Sequence, residues 1–461
     1  MKKLTLEEIS EACRGTLLSV QGQLARRVSG VVIDNRKLSP GDLFFALSGE
    51  RTDGHRYVEQ ALADGAAACV VERLPQRITG PLILVRSTRE ALMNLAAYYR
   101  GLLNVKVVGI TGSVGKTSTK ETVAAVLSEK YRVLKTDGNF NNEIGLPLTI
   151  FRLEEDDEIA VLEMGISDFG EMSRLSAVAR PDVGVITNIG VCHLENLKTR
   201  DGILKAKTEM FDNLTENGIA VLNGGDDKLR TVRSVNGKAP LLFGLKEEEN
   251  GESFLASASD VTPRGLKELS FTLHLPGVEV RNVTLSAIGR HNVYNALCAA
   301  AVGTALSMTP DEIALGLGKY RTIAGRSNII ETEDLTIIDD CYNANPVSMK
   351  EAFHVLELAE GRKIAVLGDM GELGDEEKEL HREVGSCFLE TAIDTAFVVG
   401  DLMQYFAEEV KKDPGKKVFW FENREAMTEA LTAYLQKGDT VLVKASHFMD
   451  FPKVVEELKN L

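Results

Sequence analysis

The segment VKVVGITGSVGKTSTKETVAAVL, residues 105–127, constrains this chain more than any other stretch. An apolar β-type run ends at Ile110, a glycine-bearing loop follows, and a helical pattern opens near Lys116. Gly112 and Gly115 let the backbone of the loop, with Ser113, Val114 and Ser118, curl so that successive N–H groups face one point. Lys116 adds a mobile positive charge, and the Thr117 hydroxyl is a ligand type for Mg²⁺. Ile110 stands where the first glycine of a strict GxxxxGK[ST] loop would fall, and GSVGKT is a tighter variant of that loop. A glycine-rich turn ahead of an ordinary helix is the plain alternative. The strand before it and the helix after it favour a nucleoside triphosphate site.

The strand–helix alternation around this loop sets the fold class. VKVVGI, IAVLEM (159–164), VGVITNI (183–189) and GIAVLN (218–223) are near-continuous apolar runs joined by helical patterns, as in a parallel sheet covered on both faces. From about residue 320 the alternation restarts with LTIIDD, KIAVLGD, TAFVVGD, KVFWFE and TVLVKAS. The expectation is an α/β chain of three domains: a small α/β unit at 1–103, a central P-loop unit at 104–319 and a Rossmann-like unit at 320–461. Residues 225–290 read as a β-meander closing the central sheet's edge. Neither larger unit carries a GxGxxG after a first strand, so no dinucleotide cofactor is expected.

Sites in such sheets gather at the carboxyl ends of the strands. Glu163 ends one strand, where its carboxylate suits Mg²⁺. Thr187 and Asn188 end another, with His193 soon after. In DGILKAKTEMFDNL, residues 201–214, Ile203, Met210, Phe211 and Leu214 form one apolar stripe, and Lys207 lies on it while Lys205 faces away. An inward lysine must find an acidic partner, lose its proton or be chemically altered. On pattern alone a buried ion pair is the plainer outcome. Asn292 and Asn295 open the helix pattern of residues 289–306, as caps or as readers of an adenine edge.

Charge narrows the partners. Lys and Arg total 53 against 68 Asp and Glu, a net charge of −15, which disfavours nucleic acid and anionic membrane surfaces. The N-terminus MKKLTLEEISEAC lacks the apolar core of a signal peptide, and no run is long enough to span a bilayer, so a cytoplasmic chain is expected. Six scattered cysteines without a CxxC pair read as reduced, mostly buried thiols. Near the N-terminus, Asp34, Arg36, Glu50, Arg51 and His55 cluster around turns. Surface ion pairs are the plainer reading, and a diphosphate held by Arg36 or Arg51 is the alternative.

Eight blocks in order now carry a resemblance: GSVGKTSTKE, GNFNNEIGLP (138–147), EMG (163–165), TNIG with His193-Leu194-Glu195, AKTEMF (206–211), GRHNVYN (289–295), DDCYNANP (339–346) and GDMGELG (368–374). The chain resembles the Mur ligase family over nearly its whole length. DDCYNANP and GNFNNEIG point to the members that add D-alanyl-D-alanine to UDP-N-acetylmuramoyl-tripeptide. That resemblance implies a monomeric, ATP- and Mg²⁺-dependent amide ligase working through an acyl phosphate. Its implied catalytic residues are Lys116, Glu163, His193 and Lys207, with Lys207 carbamylated. Thr117, Glu163, His193 and Lys207 would serve the metal ions. Asn292, Asn295, Arg326 and Asp340 would approach ATP. Asp34, Asn35, Arg36, Asn139, Asn141, Asn142, Tyr342 and Asn345 would lie on the substrate side. A Mur-type ligase with another acceptor, or a silent ATP-binding relative, is the alternative.

Overall fold

The computed structural model describes residues 1–18, 26–49 and 52–461; Glu50 and Arg51 therefore lie outside the described residues. Beside a two-stranded pair, Leu4–Thr5 with Arg27–Val28, three larger sheets use successive stretches of chain, each with helices packed on it, so the molecule is α/β. The first sheet orders its strands 16–18, 82–84, 68–71, 43–45, 31–32. Leu43–Phe45 is fully buried there, as its apolar sequence requires.

The central sheet has nine strands, and the strand leading into the glycine loop, Lys106–Thr111, lies inside it between Val183–Ile186 and Ile159–Glu163. All three run parallel. Their register sets Glu163 beside Ile110 and Ile186 beside Thr111, so the loop, the carboxylate and the Thr187-Asn188 turn share one edge. The meander is present as the antiparallel strands Ala256–Arg264, Glu268–Leu275 and Val278–Leu285 on the far edge. The short strands Val133–Lys135 and Leu241–Leu245 have no counterpart in the sequence reading. Val133–Lys135 is short and half-buried at the sheet's edge, whereas Leu241–Leu245 lies inside the sheet between Ile219–Asn223 and Ala256–Arg264.

The phosphate-loop helix, Lys116–Leu127, is clamped by helices Arg290–Ala305 and Pro310–Lys319. Small residues make the close approach possible. Ala296 and Ala299, Ala300 and Ala301 of NALCAAAVGTA are buried, and a Cβ on Gly316 would stand only 2.5 Å from the Val126 Cα. Each fully buried valine or leucine here contributes about 1.5–3 kcal/mol. The loop is therefore carried on a rigid support.

The third sheet orders its strands 328–331, 335–339, 439–444, 363–368, 395–399, 417–421. Only the first is antiparallel, and it is a half-exposed edge strand that the sequence reading missed. The strand Asp439–Lys444 sits between Leu335–Asp339 and Lys363–Gly368. That places Asp339-Asp340, Lys444 and the 368–374 turn together at the carboxyl edge. No described helix is long and apolar enough to cross a membrane.

Candidate active site

The carboxyl edges of the second and third sheets face one cavity of about 920 Å³, and Arg89 from the first unit reaches its wall. The glycine loop forms one side. Gly112 adopts φ +153°, and a Cβ there would stand 1.9 Å from Thr187 Oγ1, so no other residue fits. Gly115 caps the helix in the left-handed region at φ +82°. Thr187 Oγ1 donates to the Val114 carbonyl at 2.7 Å, and Asn188 Oδ1 accepts from the Val114 N–H at 2.9 Å. The Ser113 N–H donates to the Asn188 carbonyl at 3.1 Å. The loop is thus held open by the next strand's end. Lys116 Nζ folds back to donate to the Gly112 carbonyl at 2.9 Å, which puts its charge at the loop's mouth. Ser118 also lines the cavity.

Glu163 is buried and lines the same cavity. Its Oε1 accepts from Asn141 Nδ2 at 2.8 Å, while Oε2 has no partner among the described residues. An unpaired buried acceptor costs about 1–3 kcal/mol, more for a charged group, so the vacant oxygen reads as a ligand site. No three described His, Cys, Asp or Glu side chains cluster as a self-sufficient metal centre. One carboxylate and the Thr117 hydroxyl beside a phosphate loop form the donor set Mg²⁺ takes, with phosphate oxygens and water filling the rest. The residues fit that ion.

Lys207 is fully buried in the last turn of the helix Arg200–Thr208, and Lys205 is exposed, as the stripe required. The ion-pair expectation fails: among the described residues no carboxylate pairs with Lys207. Burial pushes its amine down to about 8, the charge of nearby Lys116 pushing the same way and Cys192 opposing. A neutral amine is thereby within reach at ordinary pH.

His193 lines the cavity with a left-handed backbone, φ +50°. Its Nδ1 lies 2.7 Å from Oε2 of Glu372, which comes from the third unit. Arg326, also from that unit, donates from Nη2 to Thr117 Oγ1 at 3.3 Å. Its guanidinium stacks 3.9 Å from the Tyr342 ring centre, and its Nε is buried without a partner among the described residues. Asp340 takes Lys444 Nζ at 2.6 Å on one oxygen and the Ser327 N–H at 3.0 Å on the other. Asn345 caps the helix Pro346–Glu357 through the Ser348 N–H at 2.9 Å and lines the cavity.

Other expected residues sit elsewhere. Asn295 reaches the cavity wall, but its Oδ1 accepts from Thr119 at 2.8 Å and its Nδ2 donates to Asn292 Oδ1 at 3.0 Å. Asn292 donates in turn to the Ile288 carbonyl at 2.7 Å and does not line the cavity. The pair ties the loop helix to its neighbour. Asn142 lines the cavity while its Oδ1 accepts from the Ile144 and Gly145 N–H groups; Asn139 is exposed and outside it. Asp34, Asn35 and Arg36 also lie outside the cavity. Arg36 pairs with Asp34 at 2.7 Å on the surface and holds that carboxyl down to about 2. Sequence reasoning missed Glu372, whose only signal was the GDMGELG spacing. It also missed the Glu248–Tyr294–Arg290 group that lines the cavity, whose only signal was that Arg290 and Tyr294 fall in the GRHNVYN block.

Family models match in three consecutive blocks: the Mur ligase family catalytic domain over 27–100, the Mur ligase middle domain over 110–303 and the Mur ligase glutamate ligase domain over 325–447. UDP-N-acetylmuramoyl-tripeptide–D-alanyl-D-alanine ligase of Bacillus subtilis is 39% identical, over 99% of each chain. The chain belongs to the Mur ligase family. Among solved Mur ligases, a crystal structure of MurF from Acinetobacter baumannii superposes with a TM-score of 0.90 at 32% identity, over 100% of both chains. The MurF ligase of Thermotoga maritima in complex with ADP gives a TM-score of 0.84 at 32% identity, over 96% of this chain and 99% of that one.

Proposed function

We propose that this Mur ligase joins D-alanyl-D-alanine to the terminal carboxylate of UDP-N-acetylmuramoyl-tripeptide, at the expense of ATP. The observation that carries the reading is one cavity in which Lys116 and the vacant oxygen of Glu163 face Arg326 of the third unit. A carboxylate is a poor electrophile, because its leaving group would be oxide. Transfer of the γ-phosphoryl group to a carboxylate oxygen gives an acyl phosphate and ADP. The dipeptide amine then attacks the acyl carbon, the tetrahedral adduct collapses, and inorganic phosphate leaves with the oxygen it acquired.

The costly step brings an anionic carboxylate to an anionic phosphate. Lys116 and the N–H groups of Gly115–Ser118 would hold the phosphates, those of Ser113 and Val114 being taken by Asn188, and Arg326 would add positive charge from the opposite side. Mg²⁺, bound through Glu163 and Thr117 with His193 and a carbamylated Lys207 serving a second ion, would neutralise the charge gathered there. Carbamylation needs the neutral amine that burial makes available at Lys207. Asn141 would hold Glu163 in place, and the Asn292–Asn295 pair would set the loop helix beside the nucleotide. Tyr342 would orient Arg326, and Asp340, anchored by Lys444, would approach ATP from the third unit. Asn142 and Asn345 would border the peptide. Asp34, Asn35, Arg36 and Asn139, outside the cavity, would meet only the far reaches of a long nucleotide substrate. The reading includes units at 1–103, 104–319 and 320–461, a monomer, and a cytoplasmic location.

Phosphate release from ATP by the purified protein tests this, with the UDP-linked tripeptide and D-alanyl-D-alanine given singly and together. Release that needs both is the expected result. Release indifferent to the dipeptide would move the reading to another acceptor, and bound ATP without release would sink it.

A further inference from the structure

The contact between His193 and Glu372 joins two units of the chain at 2.7 Å, and it is built on an unfavourable backbone at both ends. His193 has φ +50° and Glu372 φ +61°, in the left-handed region that residues with a Cβ seldom adopt. The ion pair does not offset this through stability, because the Glu372 side chain is 62% exposed and such pairs are worth little. The turn presenting Glu372 is fixed from three sides. Asp369 accepts from the Leu402 and Met403 N–H groups at 3.1 and 2.8 Å. The Met370 N–H donates to His381 Nε2 at 3.0 Å, and the Gly371 N–H to Ser446 Oγ at 2.8 Å. Beyond Glu372, Gly374 lies against the backbone of Glu195, so the turn reaches the segment that carries His193.

A carboxylate only accepts hydrogen bonds, so Nδ1 of His193 carries the hydrogen, and in the neutral ring Nε2 keeps the lone pair. A ligand histidine whose second nitrogen is held in this way has its tautomer and ring direction set by that partner. We propose that Glu372 is the positioning residue for His193, delivered by the third unit, so that His193 becomes a competent cation ligand only when that unit is docked. The inference rests on the ligase reading in taking His193 as a cation ligand. It assigns Glu372 no contact with substrate. It explains why two strained residues meet across a boundary where a simple surface pair would gain nothing, and it couples assembly of the cation site to closure.

The test is Mn²⁺ binding, counted by electron paramagnetic resonance of the free ion, on the whole protein with a non-hydrolysable ATP analogue and the UDP-linked tripeptide. Glu372→Ala should weaken the affected Mn²⁺ site about 10- to 100-fold. Glu372→Gln, which keeps an oxygen acceptor for Nδ1, should stay much closer to wild type. Histidine ¹⁵N spectra should show the His193 ring losing its single tautomer in the alanine variant only. Alanine binding Mn²⁺ within about twofold of wild type would overturn the proposal. Equal losses in both variants would overturn it too, since charge and not orientation would then be at work. Wild-type phosphate release, run alongside, separates this from failure of the ligase reading: that reading fails only if the wild type is silent.

Discussion

At Lys116 the loop concentrates its only mobile charge, and a Lys116→Ala variant should lose about 100-fold or more in kcat, since that charge matters most when negative charge gathers in the transition state. Steady-state phosphate release measures it, and a loss under tenfold would exclude the phosphate-cradle role. Lys207→Ala should be inactive but partly restored by small carboxylates such as acetate, which replace carbamate oxygens. With ¹³C-bicarbonate, the wild type should show a carbamate resonance that this variant lacks. The position of Lys207 on the apolar stripe was readable in the sequence, because a 3.6-residue period fixes which side chains turn inward. Its lack of an acidic partner was not readable, since a partner would come from distant chain. Glu372 was hidden for the same reason.

At the scale of elements, the helix Pro310–Lys319 gives a case where two effects compete. Gly316→Ala gains about 1 kcal/mol of helix propensity. The new Cβ would stand 2.5 Å from the Val126 backbone, however, and overpacking costs about 1–3 kcal/mol. The clash should win, and urea unfolding should show a net loss. The 369–374 turn predicts a pH effect. His381 is buried, with Nδ1 donating to the Glu377 carbonyl at 2.6 Å and Nε2 accepting from Met370, so both nitrogens are committed to the neutral ring. Burial holds its pKa below the ordinary value, the Glu377 carbonyl and the charges of Asp369 and Glu377 opposing. Below about pH 6.5 the unfolded chain takes up a proton that the folded chain refuses, so stability should fall from pH 7 towards 5. Asp369, raised by burial, acts in the opposite sense at lower pH by taking its proton earlier in the folded state. His381→Gln should flatten the slope of unfolding free energy between pH 7 and 5.5. The long buried strands were readable as apolar runs, whereas Val133–Lys135, Leu241–Leu245 and Asn328–Glu331 were not. Val133–Lys135 and Asn328–Glu331 are short edge strands, which owe their conformation to the neighbour they pair with more than to their own residues; Leu241–Leu245 lies inside its sheet, its apolar run broken by Gly244.

For the whole molecule, burial of the cysteines gives a simple assay. Five of the six free thiols are buried and Cys387 is half-exposed. Burial pushes Cys13 and Cys69 up to about 12, and Cys298 and Cys341 higher still, Asp339 contributing at the last. A thiol reagent at pH 8 should titrate about one group in the native protein and all six in denaturant. Three units contribute to one cavity, and that convergence was only partly readable. Strand-end residues could be named from the sequence, but which ends would face each other depends on how the sheets are set against one another. The loop, Glu163, His193, Arg326, Asp340 and Asn345 do meet there, while Asp34, Asn35, Arg36 and Asn139 stay outside.

The strand Asp439–Lys444 is among the last parts of the chain, yet it occupies the middle of its sheet. A ribosome that has released everything up to residue 438 has made the glycine loop, Glu163 and Arg326. Strands 335–339 and 363–368 are then still waiting for the strand that joins them. A nascent or prematurely terminated product would carry an ATP-binding loop with two unpaired strand edges and no Lys444 to anchor Asp340. Such a product would leave the strand edges at 335–339 and 363–368 open to pairing with other chains, so the third sheet is completed only when Asp439–Lys444 has been made.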